Sequence, residues 1–308
     1  MSDSVNDAAH EIKASLGATP ASLSPKFFYD AAGSALFEKI TQLPEYYPTR
    51  TEAALMQMHA PELRASIGPG VTLIEFGAGN CTKASTLCTL LEPVQFVGVD
   101  ISGDFLVQSV KALQARHPRL DMHAVHADIS HAVALPSAVH SARRLVFYPG
   151  SSIGNFDPDA ALQLLQRMRN CVGGDGGLLI GFDLPKDPAL LEAAYNDAQG
   201  VTAAFNLNIL THVNALIGSN FDLREWKHHA YFNAAESRIE MHLQAQTPTR
   251  VLWPGGERIF AKGETIHTEN SYKYSAARFT ALLGQAGFPT ARLWTDDQAW
   301  FAVAHAQP

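Results

Sequence analysis

The residues best suited to chemistry stand in one short stretch, Leu73-Ile74-Glu75-Phe76-Gly77-Ala78-Gly79-Asn80. The apolar run Val71-Thr72-Leu73-Ile74 reads as a short buried strand. An acid follows, then two glycines one residue apart, then Thr82-Lys83-Ala84-Ser85-Thr86-Leu87, which reads as a helix. Strand, Gly-rich turn and helix in that order make a nucleotide-binding turn, because glycine lets the backbone approach a ligand at angles a side chain forbids. A second apolar run, residues 94–99, ends in Asp100. That acid lies about twenty residues past the glycines, where a carboxylate accepts hydrogen bonds from ribose hydroxyls. A third strand, residues 121–128, ends in Asp128. The nucleotide itself stays open at this point. The dinucleotide fingerprint G-x-G-x-x-G requires a third glycine, and Thr82 occupies its place.

These residues need a sheet to hold them. Residues 144–148 read as a fourth strand running into Pro149-Gly150-Ser151-Ser152-Ile153-Gly154-Asn155-Phe156. Open α/β sheets place ligands at the carboxyl ends of their strands, so Gly150 and Asn155 are candidates for substrate contact. The same loop also leads to a helix capped by Asp157 ahead of Pro158. A helix over 159–171 and a fifth strand over 178–183 complete a β-α-β-α series, which implies a parallel sheet with helices on both faces. Before the first strand, one helix is expected from Thr51 to residue 67, ended by Gly68-Pro69-Gly70. After Asp187 the pattern breaks. Residues 187–213 read as helical, and 238–245, 250–253 and 257–260 as strands, a substructure too large for a loop. The nucleotide fold resumes at Ser275 with a helix, and two strands joined through Asp296-Asp297 close the chain as an antiparallel hairpin.

Composition narrows the function classes. With 46% hydrophobic and 17% charged residues, the 308-residue chain is a folded protein with a sizeable core and not a disordered one. A net charge of −7 without any basic run argues against a nucleic-acid partner. Cys81, Cys88 and Cys171 are odd in number and lack C-x-x-C spacing, so neither a disulfide framework nor a zinc site is expected. His123, His126 and His131 fit no ligand spacing, and no metal is expected. The acidic, polar start Met1-Ser2-Asp3-Ser4 is no signal peptide, and no apolar run matches a bilayer span. The expectation is a cytoplasmic monomer with no membrane partner.

The N-terminal residues 1–24 are Ala- and Ser-rich and read as a loosely held helix and linker. Beyond them Phe27-Phe28-Tyr29-Asp30 is dense in rings, and Leu43-Pro44-Glu45-Tyr46-Tyr47-Pro48 sets two tyrosines between prolines, a rigid turn that can present phenols. The plain alternative is that these rings only pack N-terminal helices onto the main domain.

The acid before Gly77-Ala78-Gly79 resembles motif I of the class I S-adenosylmethionine-dependent methyltransferases. Over residues 25–305 the chain resembles the L-histidine Nα-methyltransferases of ergothioneine biosynthesis. The motifs are Phe28-Tyr29-Asp30 with Gly33-Ser34, residues 43–50, Gly150-Ser151-Ser152-Ile153-Gly154-Asn155, Tyr195-Asn196-Asp197 with Gly200-Val201-Thr202-Ala203, Arg238-Ile239-Glu240-Met241, and Thr268-Glu269-Asn270-Ser271-Tyr272-Lys273. The resemblance implies an α/β fold, a Rossmann-like class I methyltransferase sheet with a terminal antiparallel hairpin, plus an inserted α+β substrate-binding domain. Residues 61–190 and 275–308 would bind S-adenosylmethionine, 191–274 would form the insert, and 1–60 a helical segment contributing to the substrate site.

The resemblance also implies roles. Gly77, Lys83, Asp100 and Asp128 would hold the cofactor, Lys83 by pairing with the carboxylate of its methionine part. Tyr46, Gly150, Tyr195, Met241, Glu269 and Ser271 would hold the substrate, Glu269 at the imidazole, with Tyr29 and Asn155 nearest the chemistry. The implied reaction is methylation of the α-amino group of L-histidine, up to the trimethylated hercynine. Tyr148-Pro149 before the Gly150 loop and Asn80-Cys81 after the Gly-rich turn depart from the family pattern and bear on the cofactor side. Two other readings stand beside it. One is a methyltransferase of the same fold acting on another amino acid or small amine. The other is a NAD(P)-binding oxidoreductase, which Thr82 and the terminal hairpin disfavour. For Glu269 the plain alternative is a surface carboxylate paired with Lys273 four residues on.

Overall fold

The computed structural model describes residues 2–308, and residue 1 of the expected N-terminal segment lies outside them. The chain begins with α1 (Ser2–Gly17), β1 (Ala21–Ser22) and α2 (Ala31–Ile40). Then come α3 (Tyr47–Met58), α4 (Ala60–Ile67), β2 (Thr72–Phe76), α5 (Thr82–Leu91), β3 (Gln95–Asp100) and α6 (Gly103–Arg116). They are followed by β4 (Asp121–His126), β5 (Arg144–Tyr148), α7 (Pro158–Val172) and β6 (Gly177–Asp183). After these stand α8 (Pro188–Ala193), α9 (Val201–Ile217), β7 (Trp226–Asn233), β8 (Arg238–Ala245), β9 (Thr249–Trp253), β10 (Gly256–Phe260) and β11 (Thr265–Tyr272). The chain ends with α10 (Ala276–Gln285), β12 (Thr290–Thr295) and β13 (Phe301–Gln307). It forms two compact units. The first takes residues up to 47 and 186–271, and the second takes 48–185 and 272–308.

The second unit is built on a seven-stranded sheet of order β12-β13-β6-β5-β2-β3-β4. Strands β2 to β6 pair in parallel, and β13 runs antiparallel to both β6 and β12. This is the expected class I methyltransferase sheet with its closing hairpin. Both faces are covered, so β2 and β6 are buried along their whole length and read as continuous apolar runs. Consecutive residues point to opposite faces. Ile74, Val97, Val146 and Leu178 pack with Leu164 and Leu165 of α7 and Phe279 of α10. Their neighbours Leu73, Phe96, Leu145 and Leu179 pack with Leu63 of α4, Leu87 of α5 and Leu106 of α6.

The first unit holds a four-stranded sheet of order β1-β11-β8-β7 and the separate pair β9–β10. Helix α9 buries Phe205, Ile209, Leu210, Val213 and Ile217. Asp197 caps it, accepting the backbone N–H groups of Val201 at 2.9 Å and Thr202 at 2.8 Å. Burial alone would raise the Asp197 pKa, but those N–H groups outweigh it and lower it.

Several expected elements differ. The single helix over 51–67 is two, because Pro61 near the start of α4 has no N–H to continue the ladder. The helical run over 187–213 is likewise broken between α8 and α9 by residues 194–200. The N-terminal helix is not loose, since Ile12 and Leu16 are fully buried and β1 pairs in parallel with β11 at Ala21↔Ile266. Strands β7 and β11 were not foreseen, because Trp226-Lys227-His228-His229 and Thr265-Ile266-His267-Thr268-Glu269-Asn270 show no clean two-residue alternation. Among the described residues no helix is long and apolar enough to cross a membrane.

Glu269 is no surface carboxylate. It is buried on β11, and no helix carries it toward Lys273. The Lys273 ammonium pairs instead with Asp183 at 2.8 Å, both side chains 1% exposed. Removing one partner of such a buried pair strands the other charge, so Lys273→Ala should destabilise the protein by about 3–5 kcal/mol. Denaturant unfolding monitored by circular dichroism measures this, and a loss under about 1 kcal/mol would mean the pair behaves as a solvated one.

Candidate functional site

In the second unit the site grows from the turn after β2. Gly77 and Gly79 both have positive φ, +67° and +50°, the left-handed region that glycine enters without strain. A Cβ on Gly79 would meet nothing within 4 Å, so the turn offers an open backbone face. The N–H groups of Gly77 and Ala78 donate to the Val99 carbonyl at 2.8 and 3.1 Å, tying the turn to the end of β3. Asp100 then accepts the Gly79 N–H on Oδ2 at 2.9 Å and the Ser102 N–H on Oδ1 at 2.8 Å. Each carboxylate oxygen has a second lone pair, so Asp100 is oriented but not saturated. Asp128 lies just past β4, where Oδ1 accepts from the Ser130 N–H at 2.8 Å and the Ser130 hydroxyl at 2.6 Å.

Glu75 sits beneath this turn, 1% exposed, with Oε2 lacking any hydrogen-bond partner. Burial pushes its carboxyl well above the usual range. Nearby Lys83 opposes the shift and Asp100 and Glu52 reinforce it. Burial likewise raises the Cys81 and Cys88 thiols, which keeps them protonated and poorly nucleophilic.

Lys83 opens α5 and donates to Glu52 Oε2 at 2.6 Å. The other oxygen of Glu52 accepts the Gly150 N–H at 2.8 Å. Two glycines make room for this arrangement. A Cβ on Gly181 would stand 2.0 Å from Glu52 Oε1, and one on Gly150 would stand 3.0 Å from Lys83 Nζ. Along the sequence Glu52 is simply the second residue of the helix expected from Thr51. No sequence signal distinguishes it, because its partners come from residues 83 and 150. The loop is further held by Ser151, whose hydroxyl accepts the Asp183 N–H at 2.9 Å. Asn155 ends the short 3-10 turn Ser152–Asn155. A cofactor of the nucleoside–amino-acid type fits this donor set. The set comprises open glycine backbone, an unsaturated carboxylate at Asp100, and an ammonium at Lys83.

In the first unit a second set converges. Tyr195 donates its hydroxyl to Ser271 Oγ at 2.7 Å, and both residues are buried. A file of rings leads to it, with Tyr29 edge-on to Phe37, Phe37 edge-on to Tyr46, and Tyr46 edge-on to Tyr195 at 6.3 Å. Ring packing is therefore real, and it also sets the phenols in order. Met241 is 2% exposed on β8, and its carbonyl lies 3.0 Å from the Thr268 hydroxyl on β11. Thr268, Glu269 and Ser271 are all buried on that strand. Asn206 and His228, which belong to no motif of the sequence, lie in the same polar network.

Among the described residues, one group of three side chains could hold a cation, Glu240, His242 and His267. Glu240 there accepts from Tyr231, Asn233, Arg238 and His242. Burial would raise its carboxyl, but these donors hold it down at about 2. The carboxylate is thus already committed to protein donors. His123, by contrast, pairs with Asp121 at 3.2 Å.

The family profile described as "Histidine-specific methyltransferase, SAM-dependent" matches residues 8–308. The chain is 39% identical to a histidine N-alpha-methyltransferase of Mycolicibacterium smegmatis, over 96% of this chain and 93% of that protein. It is 30% identical to ergothioneine biosynthesis protein 1 of Neurospora crassa, over 90% of this chain and 32% of that longer protein. Among solved structures, the PH0226 protein of Pyrococcus horikoshii OT3 shares the fold with a TM-score of 0.50. That match has 12% identity over 88% of this chain and 98% of that one.

Glu75 yields a pH signature. Its folded pKa is raised, so the stability it contributes is full below its unfolded value of about 4.3 and is lost as pH rises through the folded value. Glu75→Gln cannot ionise and lacks this loss. Measured by denaturant unfolding across a pH series, wild type should therefore lose stability relative to Glu75→Gln as pH rises. Two parallel curves would mean that Glu75 is ionised at no cost.

Proposed function

The chain belongs to the S-adenosylmethionine-dependent, histidine-specific methyltransferase family, and on that premise we propose that it methylates the α-amino group of L-histidine, up to hercynine, within ergothioneine biosynthesis. The observation that carries the substrate choice is the buried polar set on β11. Glu269 and Ser271 are 8% and 3% exposed, and the Tyr195 hydroxyl bonds Ser271. A buried carboxylate and two hydroxyls suit a small ligand rich in N–H groups, and an unpaired partner there would cost about 1–3 kcal/mol.

In this reading Gly77, Lys83, Asp100 and Asp128 hold the cofactor. Asp100 takes ribose hydroxyls, Asp128 the adenine amine and Lys83 the carboxylate. Bound there, S-adenosylmethionine supplies a methyl group already made electrophilic by its sulfonium. Tyr46, Asn155 and Tyr195 hold the amino-acid end of histidine, Gly150 contacts the substrate beside Asn155, Met241 packs beside it, and Glu269 with Ser271 accepts the imidazole N–H. Tyr29 and Asn155 orient the amine lone pair. The amine releases a proton to solvent, its nitrogen forms the bond to carbon, and the carbon–sulfur bond breaks. Positioning of this kind supplies several kcal/mol of rate enhancement. The first unit, residues up to 47 with 186–271, serves as the substrate domain, and the second, residues 48–185 with 272–308, as the cofactor domain. The protein acts as a cytoplasmic monomer.

Mass spectrometry of products formed from S-adenosylmethionine and a panel of amino acids tests this directly. Methylated histidine is expected, and methylation of a different amine alone would overturn it. Two variants test the assignments separately. Asp100→Ala or Lys83→Ala should weaken cofactor binding by roughly 1.5–3 kcal/mol in calorimetry. Glu269→Ala should weaken histidine binding at least about tenfold, close to 1.4 kcal/mol, with cofactor affinity and fold unchanged. Wild-type histidine kinetics in a folded Glu269→Ala protein would sink the role given to that residue.

A further inference from the structure

A closed chain of neutral hydrogen bonds runs behind the residues assigned to histidine, and its directions can be worked out atom by atom. Asn206, fully buried on α9, has its Nδ2 at 3.0 Å from the His242 carbonyl. A backbone carbonyl only accepts, so Nδ2 must face it and Oδ1 must face away. Oδ1 therefore accepts the hydroxyl of fully buried Thr268 at 2.8 Å. The second N–H of Nδ2 points at His228 Nδ1, 2.9 Å away. Nδ1 must then be unprotonated. The ring proton sits on Nε2, which donates to the Tyr195 carbonyl at 2.9 Å. The single Thr268 proton is shared with the Met241 carbonyl at 3.0 Å, but the His242 and Tyr195 carbonyls fix the amide and the ring, and together they admit only the neutral Nε2–H tautomer of His228.

The chain joins two places. At one end is the backbone of Tyr195, and at the other is Thr268, the neighbour of Glu269 on β11. The same two segments meet directly where Tyr195 bonds Ser271. Two more bonds hold the Tyr195 segment to β7, from Asn196 Nδ2 to the Ala230 carbonyl at 3.1 Å and from the Phe232 N–H to Glu192 Oε1 at 2.9 Å.

We infer that His228 and Asn206 are positioning residues of the histidine site, fixing Tyr195 against the Glu269–Ser271 stretch through an imidazole locked in one neutral tautomer. This rests on the reading of Tyr195, Glu269 and Ser271 as the substrate contacts. Protonation at Nδ1 would set an N–H against the Asn206 amide and break the chain. The titratable groups that act on the ring are Asp197 before α9 and His229 on its own strand. Burial lowers the His228 pKa, His229 adds to that, and the Tyr195 carbonyl and Asp197 only partly oppose it.

The test has two arms. The first uses the full chain without substrate or cofactor and records nitrogen-15 spectra of labelled histidine, with His228 assigned by its loss in His228→Gln. A single Nε2–H tautomer that stays neutral well below the ordinary histidine value of about 6.5 is expected. Mixed tautomers, or titration near that value, overturn the inference whatever the enzyme's substrate proves to be.

The second arm is kinetic. Glutamine at 228 can accept from Asn206 through its carbonyl and donate to Tyr195 through its amide, whereas alanine can do neither. His228→Ala should raise the KM for histidine at least tenfold, with S-adenosylmethionine affinity within twofold of wild type, and His228→Gln should restore most of the loss. The near-isosteric Thr268→Val, which cuts the chain at its other end, should repeat the alanine result and serves if His228→Ala does not fold. An unchanged KM in folded His228→Ala or Thr268→Val, a glutamine variant as poor as alanine, or a parallel fall in cofactor affinity overturns the positioning role. If wild type methylates no histidine, the substrate reading fails, and the tautomer measurement still decides the hydrogen-bond chain.

Discussion

A carboxylate cannot be withdrawn from water without a partner, and the second unit is arranged around that constraint at Asp183. This residue ends β6 with its side chain fully buried and paired to Lys273. Its N–H goes to Ser151, which holds the loop after β5. Its carbonyl accepts the Tyr274 N–H at 3.0 Å, which sets the chain as it returns to the sheet before α10. One residue thereby ties two segments to the end of β6 at the carboxyl end of the parallel sheet, where this architecture binds its ligands. Glu52 repeats the device a short way off, with Lys83 on one oxygen and Gly150 on the other. Lys83, Asp100 and Glu52 all act on buried Glu75, and the arrangement is tolerable because Glu75 is pushed toward its neutral form.

The two units solve different problems with different chemistry. Around the glycine turn the contacts are charge-assisted and directed at backbone N–H groups, which suits a ligand with its own charges. In the first unit the network around His228 relies on neutral groups, hydroxyl, amide and imidazole, each satisfied by the next. Such a network is rigid only when it is complete, since one missing partner leaves a buried donor or acceptor unpaired. The ring file from Tyr29 to Tyr195 adds bulk beside it without adding charge. On the proposed function, these stiff aromatic walls and satisfied polar floor are what would let the site reject ligands on hydrogen-bonding grounds.

Much of this was legible along the chain. Apolar runs of sheet length, glycine punctuation and acids at strand ends are local signals, and they located β2 to β6, the turn at Gly77 and Gly79, and the acids Asp100 and Asp128. The closing hairpin was equally visible. These features depend on the two-residue and 3.6-residue periods of nearby residues, which the sequence states outright. The long motifs around Tyr46, Asn155, Tyr195 and Glu269 also pointed to the family. What the sequence by itself could not determine was set by partners far apart in the chain. Strand β11 is polar by composition, yet most of its side chains are buried where it lies between β1 and β8. Glu52 looks like any helical acid until Lys83, Gly150 and Gly181 surround it. Lys273 looks like a partner for Glu269 until β11 proves to be extended and Asp183 lies within reach. His228 looks like a surface histidine until Asn206 and Tyr195 dictate where its proton sits. Local periodicity decides which elements form, but charge pairing and tautomer are properties of contacts, and tertiary structure alone brings those contacts together.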